Sequence, residues 1–281
     1  MAVARPISPR VDLEQLELRL LLEAINHQYG YDFRGYARSS LRRRIWRRVN
    51  EEGLQTISGL QEKILHDPTV MDRLLVDLSI SVTSMFRDPT YYVALREKVV
   101  PLLRTYPFVR IWNAGCSTGE ETFSLAIMLR EEGLGDRARI YATDINDVVL
   151  KQARQGRFPL ERMQEYTRDY IRAGGTAAFS DYYKAYGDTA RFDPSLVEDV
   201  VFAQHNLVSD SRFNEFHLIV CRNVMIYFDR ALQDRVHQLF YDSLVRRGTL
   251  VLGHKESIRF TSHADDYEEL DAREKIYRRL D

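Results

Sequence analysis

A short loop between a predicted strand and a predicted helix holds the residues of this chain whose types and spacing best suit chemistry. Val109 to Trp112 predicts a buried strand, and Glu120 to Arg130 predicts a largely buried helix. The loop between them, Gly115 to Gly119, has the sequence GCSTG. Such a loop brings backbone N–H groups and a helix N-terminus close to a ligand. It suits either the binding of a nucleotide or similar cosubstrate or a G-x-S-x-G nucleophile elbow with Ser117 as the nucleophile.

A serine hydrolase would need further groups beside Ser117. A downstream histidine must act as its base, and His254 and His263 are the candidates. Hydrolases of this type also take oxyanion donors from an HGGG-type loop, and the sequence contains no such motif. A hydrolase that uses Ser117 therefore remains an alternative function rather than the preferred one.

Binding of a nucleoside-containing ligand requires an acidic residue at the end of the second strand, where it binds ribose hydroxyls. The segment from Arg139 to Asp144 (RIYATD) supplies this residue as Asp144. Asp144 is also placed to cap a helix that starts at Asp147, so this residue alone does not distinguish ribose binding from helix capping. Because the loop lacks the full G-x-G-x-x-G of dinucleotide-binding proteins, the sequence favours a smaller nucleoside ligand over NAD.

The elements that must position these residues form two blocks along the chain. Residues 1–80 predict four short amphipathic helices, and Ser39 or Ser40 is expected to cap the second of them. From residue 81 onward, strand-like and helical segments alternate, which predicts an α/β domain with a mostly parallel sheet and a final antiparallel strand. The least regular stretch, residues 156–199, is expected to be an inserted subdomain or lid, with the subdomain placed near residues 170–198.

Composition excludes several classes of protein. The formal net charge of −1 gives no general reason to expect nucleic-acid binding. No apolar run approaches the roughly 20 residues of a membrane span, and the first residues lack the apolar core of a signal peptide, so we expect a cytoplasmic protein without membrane insertion. Two cysteines, Cys116 and Cys221, suit a reducing compartment. The histidines have no metal-ligand spacing, so no metal site is expected.

A second segment, Phe216 to Phe228 (FHLIVCRNVMIYF), combines a buried strand with the polar residues Arg222 and Asn223 at its carboxyl end. On this and other segments, the chain resembles the CheR family of S-adenosylmethionine-dependent protein-glutamate O-methyltransferases, which modify chemotaxis receptors. The string CRNVMIYF is highly specific for this resemblance. The other matching segments occur in family order: residues 83–87 (TSMFR), 114–121 (AGCSTGEE), 142–144 (ATD), 206–207 (NL) and 253–257 (GHKES).

The resemblance implies a fold and an activity. The fold is an α/β, Rossmann-like class I methyltransferase sheet in residues 81–281, with a small inserted β-subdomain and a small all-helical N-terminal domain, residues 1–80, that docks the substrate. The activity is methyl transfer from S-adenosylmethionine to glutamate carboxylates of a chemoreceptor or related signalling protein, which leaves methyl esters and S-adenosylhomocysteine. A non-catalytic S-adenosylmethionine-binding regulator with the same fold is a further alternative.

The resemblance also implies roles for individual residues. Glu120 would accept a hydrogen bond from the amino group of the cosubstrate, and Asp144 would bind its ribose. Arg87 and Tyr227 are the implied catalytic residues, Arg87 by orienting a carboxylate and Tyr227 by shaping the methyl pocket. Ser81 stands where the family often has asparagine, which predicts a weaker or water-mediated contact. The full set of implied cosubstrate residues is Ser81, Thr83, Arg87, Glu120, Asp144, Asn206, Leu207, Arg222 and Asn223.

An arginine-rich helix is the predicted docking surface for the substrate. If Leu41 and Ile45 face inward on this helix, Arg43 and Arg47 point away from the core. The family suggests that a glutamate-containing helical region of a receptor binds there; a solvated helix face ranks second and nucleic acid last. The seven arginines of this stretch, with no acid between residues 32 and 51, are Arg34, Arg38, Arg42, Arg43, Arg44, Arg47 and Arg48.

Binding of a receptor's C-terminal tail peptide is not expected. Family members that bind such a tail carry a glycine-rich loop in the small β-subdomain. The equivalent stretch here, about residues 179–196, contains only Gly187. The sequence therefore predicts that this protein reaches its substrate without tail-peptide tethering.

Overall fold

The structure, a computed structural model, describes residues 11–78 and 83–281, with side chains from residue 13 onward. The first ten residues, which were predicted not to form a signal peptide, the predicted domain boundary after residue 80, and Ser81 lie outside the described residues. The described chain divides into two compact units. The first comprises the residues up to 78 together with Tyr227–Leu232, and the second comprises residues 83–226 and 233–281.

The first unit is built from four helices. They bury the apolar stripes that the sequence predicts, among them Leu41, Ile45 and Val49. Thr56 caps the third helix, since its hydroxyl accepts from the Gly59 N–H at 3.0 Å. The helices are α1 (Val11–Tyr29), α2 (Arg38–Glu51), α3 (Ile57–His66) and α4 (Pro68–Leu78).

Helix α2 begins without a side-chain cap. Ala37 occupies the N-cap position, and its N–H donates to the Tyr227 carbonyl at 2.7 Å. The prediction that Ser39 or Ser40 caps this helix is wrong, because both serines lie inside the helix. The helix start is held instead by the hydrogen bond to Tyr227, and local sequence patterns cannot predict a contact with a residue so far along the chain.

The second unit contains all ten strands of the described chain and six further α-helices. The strands are β1 (Val109–Ala114), β2 (Ala138–Asp144), β3 (Arg157–Pro159), β4 (Tyr183–Tyr186), β5 (Thr189–Phe192), β6 (Val201–Gln204), β7 (Phe216–Cys221), β8 (Leu244–Leu252), β9 (Tyr267–Asp271) and β10 (Ile276–Arg279). The helices are α5 (Pro89–Ala94), α6 (Val100–Leu103), α7 (Glu120–Glu131), α8 (Asp147–Gln155), α9 (Met163–Arg172) and α10 (Arg230–Ser243), and the first three residues of α10 belong to the first unit.

Seven strands form the main sheet in the order β6-β2-β1-β7-β8-β10-β9. The strands from β6 to β8 are parallel, and β10 runs antiparallel to both of its neighbours. All six residues of β7 are buried, as expected for a strand covered on both faces. Strand order reverses between β1 and β7, and ligands of such sheets bind beyond the carboxyl ends of the strands at this point. The predicted α/β architecture is confirmed.

A separate antiparallel sheet, with the order β3-β5-β4, interrupts the main one in sequence. Its first strand, at residues 157–159, lies inside the irregular stretch 156–199 but before residues 170–198, where the subdomain was placed. Phe158 and Phe192 are buried and pack edge to face with Phe123 of α7, at 5.4 and 5.5 Å between ring centroids. The small sheet is therefore held against the second unit by aromatic contacts. None of the described helices is both long and apolar enough to cross a membrane.

Candidate active site

The loop between β1 and α7, residues 115–119, lies at the carboxyl end of β1. The N–H groups of Gly115 and Cys116 both donate to the Thr143 carbonyl, at 2.8 and 2.9 Å. The Ser117 N–H donates to an Asp144 carboxylate oxygen at 2.9 Å. Since both acceptors stand at the end of β2, this loop is fixed to two adjacent strands.

Two glycines of this loop have conformations and neighbours that exclude a side chain. Gly115 has a φ of +78°, and an added Cβ would lie 2.4 Å from a methyl carbon of Val224. Gly119 has a φ of +98°, and its Cβ would lie 2.9 Å from that of Ala153. Glycine adopts positive φ at no steric cost. Both positions therefore let neighbouring segments pack directly against the loop.

Glu120 is the first residue of α7, and its side chain is buried. The Thr118 hydroxyl donates to its carboxylate at 2.6 Å. Burial raises the pKa of Glu120, and this hydrogen bond opposes the rise. The Arg162 guanidinium also lowers the pKa slightly, but it pairs with Glu165. Within the described residues, Glu120 has no ion-pair partner.

Asp144 is the last residue of β2 and is also buried. Its carboxylate accepts the N–H groups of Ser117 and Asn146, at 2.9 and 3.0 Å. Burial raises the pKa of Asp144, and the backbone hydrogen bonds offset part of the rise. The alternative that Asp144 caps α8 is wrong, because the Asn146 side chain caps this helix by accepting from the Val148 N–H.

Asn206 and Leu207 follow β6, next to the end of β2. The His205 N–H donates to the Asp144 carbonyl at 3.1 Å, which extends the pairing of the two strands. The Asn206 side-chain oxygen accepts from the Val208 N–H at 3.0 Å. Both predicted residues are buried, and the structure places them on the β2 side of the loop.

The segment before α5 carries Thr83 and Arg87 in a strained backbone. Phe86 and Asp88, on either side of Arg87, have φ values of +51° and +57°. This left-handed conformation costs a non-glycine residue about 1–2 kcal/mol. The Phe86 N–H donates to the Ser124 hydroxyl at 2.9 Å, which fixes the segment to α7. Surrounding contacts therefore hold Arg87 in place, and such strain is common at functional sites.

Arg222 follows β7, and protein groups surround its guanidinium. It pairs with Asp88 at 2.7 Å and with Glu121 at 3.0 Å, and it lies 4.0 Å over the ring centre of Tyr91. Burial lowers the pKa of Arg222, but Glu121 and the other neighbours more than reverse this, so the net pKa is raised. Arg222 thus connects the strained segment to α7. A direct contact between Arg222 and the cosubstrate stays a prediction.

Asn223 begins the turn after β7 with a φ of +63°. Glu256 stabilises this turn, since its buried carboxylate accepts the N–H groups of Asn223, Val224, Met225 and Gly253 at 2.6–2.9 Å. Burial raises the pKa of Glu256, and the four hydrogen bonds oppose the rise. Glu256 was predicted only as part of the matching GHKES segment, with no role of its own.

The surroundings of Ser117 do not support a hydrolase. Its hydroxyl is buried and has no hydrogen-bond partner in the described part of the chain. His254 binds Glu274 at 2.9 Å, and His263 binds Asp266 at 2.6 Å. A nucleophilic serine needs a base within hydrogen-bond reach. Neither candidate histidine serves Ser117 in this arrangement.

Tyr227 belongs to the first unit, where it contacts α2. The Arg44 guanidinium lies 4.6 Å over the ring centre of Tyr227. Arg44 is only 6% exposed; its Nη1 donates to the Leu78 carbonyl at 2.6 Å, and its Nη2 has no hydrogen-bond partner among the described residues. Burial lowers the pKa of Arg44. Arg44 was predicted only as one of the seven arginines of the arginine-rich stretch, although it lies on the same helix face as Leu41 and Ile45.

Arg43 and Arg47 are exposed, and the surface around them is less basic than the sequence suggests. Arg47 pairs with Glu51 at 2.8 Å, and Arg42 pairs with Glu14 of α1. The prediction counted only acids between residues 32 and 51, whereas the fold brings acids of other helices to the arginines. The predicted basic surface is therefore partly neutralised.

The residues around the loop fit a ligand with a cationic group and hydroxyl donors. Glu120 and Asp144 flank the loop as two buried carboxylates, and neither has an ion-pair partner in the described chain. Burying a carboxylate without a compensating cation is unfavourable. S-adenosylmethionine, the cosubstrate implied by the resemblance, carries an ammonium group and a ribose diol that match the two acids. No group of three metal-ligating side chains occurs in the described residues.

Comparison with known proteins covers both blocks of the chain. Residues 16–79 match the family model described as "CheR methyltransferase, all-alpha domain", and residues 81–276 match "CheR methyltransferase, SAM binding domain". A Pseudomonas putida protein named as a methyltransferase, Cher3, is 50% identical to this chain, and the match covers 94% of this chain and 97% of the relative. A chemotaxis protein methyltransferase of Listeria innocua is 32% identical over 88% of this chain and 92% of its own. The Salmonella typhimurium protein of the same name is 27% identical over 91% of this chain and 88% of its own length.

Proposed function

Because the chain belongs to the CheR methyltransferase family, we propose that it methylates glutamate side chains of a chemotaxis receptor or a related signalling protein. Family membership makes it an S-adenosylmethionine-dependent methyltransferase with a Rossmann-like class I fold; the acceptor is the proposed part. The names of relatives, chemotaxis protein methyltransferases in two genera, support this acceptor. We place the reaction in the cytoplasm, since the free, buried Cys116 and Cys221 suit a reducing compartment.

The proposed binding of the cosubstrate rests on the two buried carboxylates at the loop, which have no ion-pair partner among the described residues. Glu120 is proposed to bind the ammonium group, because this would give a buried acid its missing cation. Asp144 is proposed to accept from the ribose hydroxyls while it holds the loop through the Ser117 N–H. Thr83, Arg87, Asn206, Leu207, Arg222 and Asn223 are proposed to complete the site.

Methylation of a glutamate asks for alignment rather than for proton transfer. A free glutamate has a pKa of about 4.3, so its carboxylate is already the nucleophile at neutral pH. The cosubstrate supplies an electrophilic methyl group bound to a positively charged sulfur. Correct placement of two reactants alone is worth effective concentrations on the order of 10⁵ M or more. A general base is therefore unnecessary, which agrees with the commitment of His254 and His263 to other partners.

The first unit supplies the proposed acceptor side. Arg44 is a buried cation that pairs with no carboxylate among the described residues, and it lies against Tyr227. A glutamate carboxylate of the acceptor would provide the missing counter-charge and the acceptor for Nη2. Arg43 and Arg47, both exposed on the same helix, are proposed to dock the acidic surface around that glutamate.

The test uses the chemical stability of the product. The enzyme is incubated with methyl-labelled S-adenosylmethionine and a cytoplasmic fragment of a chemoreceptor, and the washed product is treated with mild base. Glutamate methyl esters release labelled methanol under these conditions, whereas methylated amines and thiols keep the label. We expect base-labile label on the fragment, and none when each candidate glutamate is replaced by alanine.

Two results would contradict the proposal in different ways. Base-stable label would show methyl transfer to another functional group. Binding of S-adenosylhomocysteine without any transfer to the fragment would favour the non-catalytic regulator. The Asp144→Asn enzyme serves as the control for label that does not depend on the cosubstrate site.

A further inference from the structure

A cavity of about 370 Å³ lies between the small β3-β5-β4 sheet and the end of α8. Arginines from three different elements line it: Arg154 of α8, Arg157 of β3 and Arg191 of β5. Its other walls include the apolar residues Pro194 and Val197. Pockets that bind small molecules have volumes of about 300–1,000 Å³ and combine apolar walls with a few convergent polar groups. The cavity has this size and this composition.

Two of the three arginines of this cavity belong to a row of cations across the small sheet. Arg157 of β3 is the direct cross-strand partner of Arg191 of β5, and Arg191 is in turn the partner of Lys184 of β4. All three side chains are exposed. Like charges at directly opposite positions destabilise a sheet. This row therefore costs stability in the isolated chain, and an anion placed over it would remove that cost.

Internal acids neutralise little of this charge. Arg157 and Arg191 form no ion pair within the described residues. Arg154 forms a long ion pair of 3.9 Å with Asp147, whose carboxylate lies closer to Lys151, at 2.7 Å; Arg154 also donates to the Phe202 carbonyl at 2.8 Å. Three cations thus line one cavity, and the one carboxylate paired with them among the described residues is shared with Lys151.

The carboxylate of Asp193, near the Lys184 end of the row, already accepts hydrogen bonds from Ser195. Asp193 lies near Lys184, but the pKa of Asp193 is lowered chiefly by hydrogen bonds from Ser195 and only slightly by Arg130 and Lys184. Its carboxylate is therefore largely engaged with Ser195. The charge that faces the cavity stays positive.

We propose that this cavity binds a small phosphate-bearing molecule of about mononucleotide size, at a site separate from that of the methyl-donating cosubstrate. Guanidinium groups present paired donors that match phosphate oxygens, and three of them surround the space. None of the residues proposed to contact S-adenosylmethionine lines the cavity.

The concave shape favours a small ligand over an acidic peptide. An extended peptide binds most readily along the open edge of a sheet, where it adds a strand. Arg191 lies instead on the central strand of the three, and the cavity extends from there towards α8 and Gly156. An acidic polypeptide on this surface is the competing outcome, and the experiment distinguishes the two.

Calorimetric titration tests the site in protein saturated with S-adenosylhomocysteine, so that no probe enters the cosubstrate site. The probes are ADP, inorganic pyrophosphate and a hexaglutamate peptide. The variants are Arg157→Gln combined with Arg191→Gln, and Arg157→Gln alone. Arg246→Gln, an exposed arginine elsewhere in the second unit, is the matched control.

We expect ADP or pyrophosphate to bind the wild-type protein and the control equally. The double variant should lose about tenfold or more in affinity, as expected for the loss of two charged hydrogen-bond donors, and the single variant should lose less. Binding of ADP alone would assign the site to nucleotides, and binding of both would show that the phosphate groups suffice. S-adenosylhomocysteine affinity equal to that of the wild type confirms that each variant is folded.

Three results would overturn the proposal. These are no binding of either phosphate probe to the wild type, equal binding of the probes to the double variant, and tighter binding of the peptide than of both phosphate probes. The last result would reassign the surface to an acidic polypeptide.

Discussion

The guanidinium of Arg222 and the carboxylate of Asp88 form a 2.7 Å ion pair that joins the end of β7 to the start of α5. Arg222 is also paired with Glu121, at 3.0 Å, and its own side chain is 2% exposed. This one residue therefore fixes both the strained backbone around Arg87 and the first turn of α7.

Replacement of Arg222 by leucine should strongly destabilise the protein. It leaves the Asp88 and Glu121 carboxylates, 34% and 14% exposed, without their cation, so we expect a loss of about 2–3 kcal/mol, below the roughly 3–5 kcal/mol of fully buried pairs. Denaturant unfolding followed by circular dichroism measures this loss. Arg222→Lys should recover only part of it, because an ammonium group does not present two parallel donors. The exposed Arg246→Gln should leave stability unchanged, and equal stability of Arg222→Leu would refute the structural role.

Replacement of Gly115 by alanine should weaken cosubstrate binding through a specific clash. The new Cβ would lie 2.4 Å from Val224, and φ is +78°. Gly133→Ala is the matched control, because Gly133 has a φ of +69° but no atom near its added Cβ. Both variants should lose about 1–2 kcal/mol of stability from backbone strain, but only Gly115→Ala should lose affinity for S-adenosylhomocysteine.

A second substitution separates the clash from the strain. Val224→Ala removes the methyl carbon that the new Cβ would meet, so the double variant should regain much of the lost affinity. No recovery would mean that the Gly115 conformation itself, rather than its close contact with Val224, is what the ligand requires.

Stability should fall as the solution becomes acidic because of His237. Burial lowers the pKa of His237 from 6.5 to about 4, so the unfolded chain takes up this proton first. The stabilisation is fully present above pH 6.5 and is lost progressively down to about pH 4, with a total of about 3 kcal/mol. Unfolding free energies of His237→Gln should show a shallower slope over this range, whereas the exposed His66→Gln should match the wild type. An unchanged slope in His237→Gln would assign the acid sensitivity to other groups.

Removal of the buried charge of Arg44 should strongly slow methyl transfer without changing the affinity for the cosubstrate. Arg44→Met keeps much of the side-chain volume but loses the cation proposed to face the acceptor glutamate. Turnover of a receptor fragment should fall by about 100-fold, as expected for a lost charged hydrogen bond, while S-adenosylhomocysteine affinity stays that of the wild type. The exposed Arg38→Met is the control. A fall in cosubstrate affinity instead would place Arg44 in another role.

Tyr227 should contribute mainly through its ring. The Arg44 guanidinium lies over the ring face, so Tyr227→Phe retains the contact and should keep most of the rate. Tyr227→Leu removes the contact and should not. If Tyr227→Phe is as inactive as Arg87→Ala, the hydroxyl takes part in the reaction and alignment alone does not account for catalysis.

Features with a local signature could be predicted from the sequence. The strand before the GCSTG loop and the helix after it follow from their runs of apolar residues. The position of Asp144 beside that loop follows from the rule that parallel strands end at one edge of the sheet. The final antiparallel strand, β10, follows from its alternating pattern.

Features that depend on contacts between distant segments could not be predicted from the sequence. The start of α2 is joined to the Tyr227 carbonyl, so a search for a capping serine fails. The charge of the arginine-rich helix depends on acids of α1 and α4, such as Glu14 and Asp77. Glu256 reveals its role only when the fold brings four N–H groups to its carboxylate. In each case, the deciding partner lies outside any local window of sequence.

The most direct test of this account is calorimetric titration of S-adenosylhomocysteine into the wild-type protein, Glu120→Gln and Asp144→Asn. Asp136→Asn, which removes an exposed carboxylate from the same unit, is the control. The wild type and the control should bind alike, and each of the other two should lose about 10- to 100-fold in affinity, because each loses a charged hydrogen bond to the ligand. Equal affinity in all four proteins would contradict the assignment of Glu120 and Asp144 to the cosubstrate.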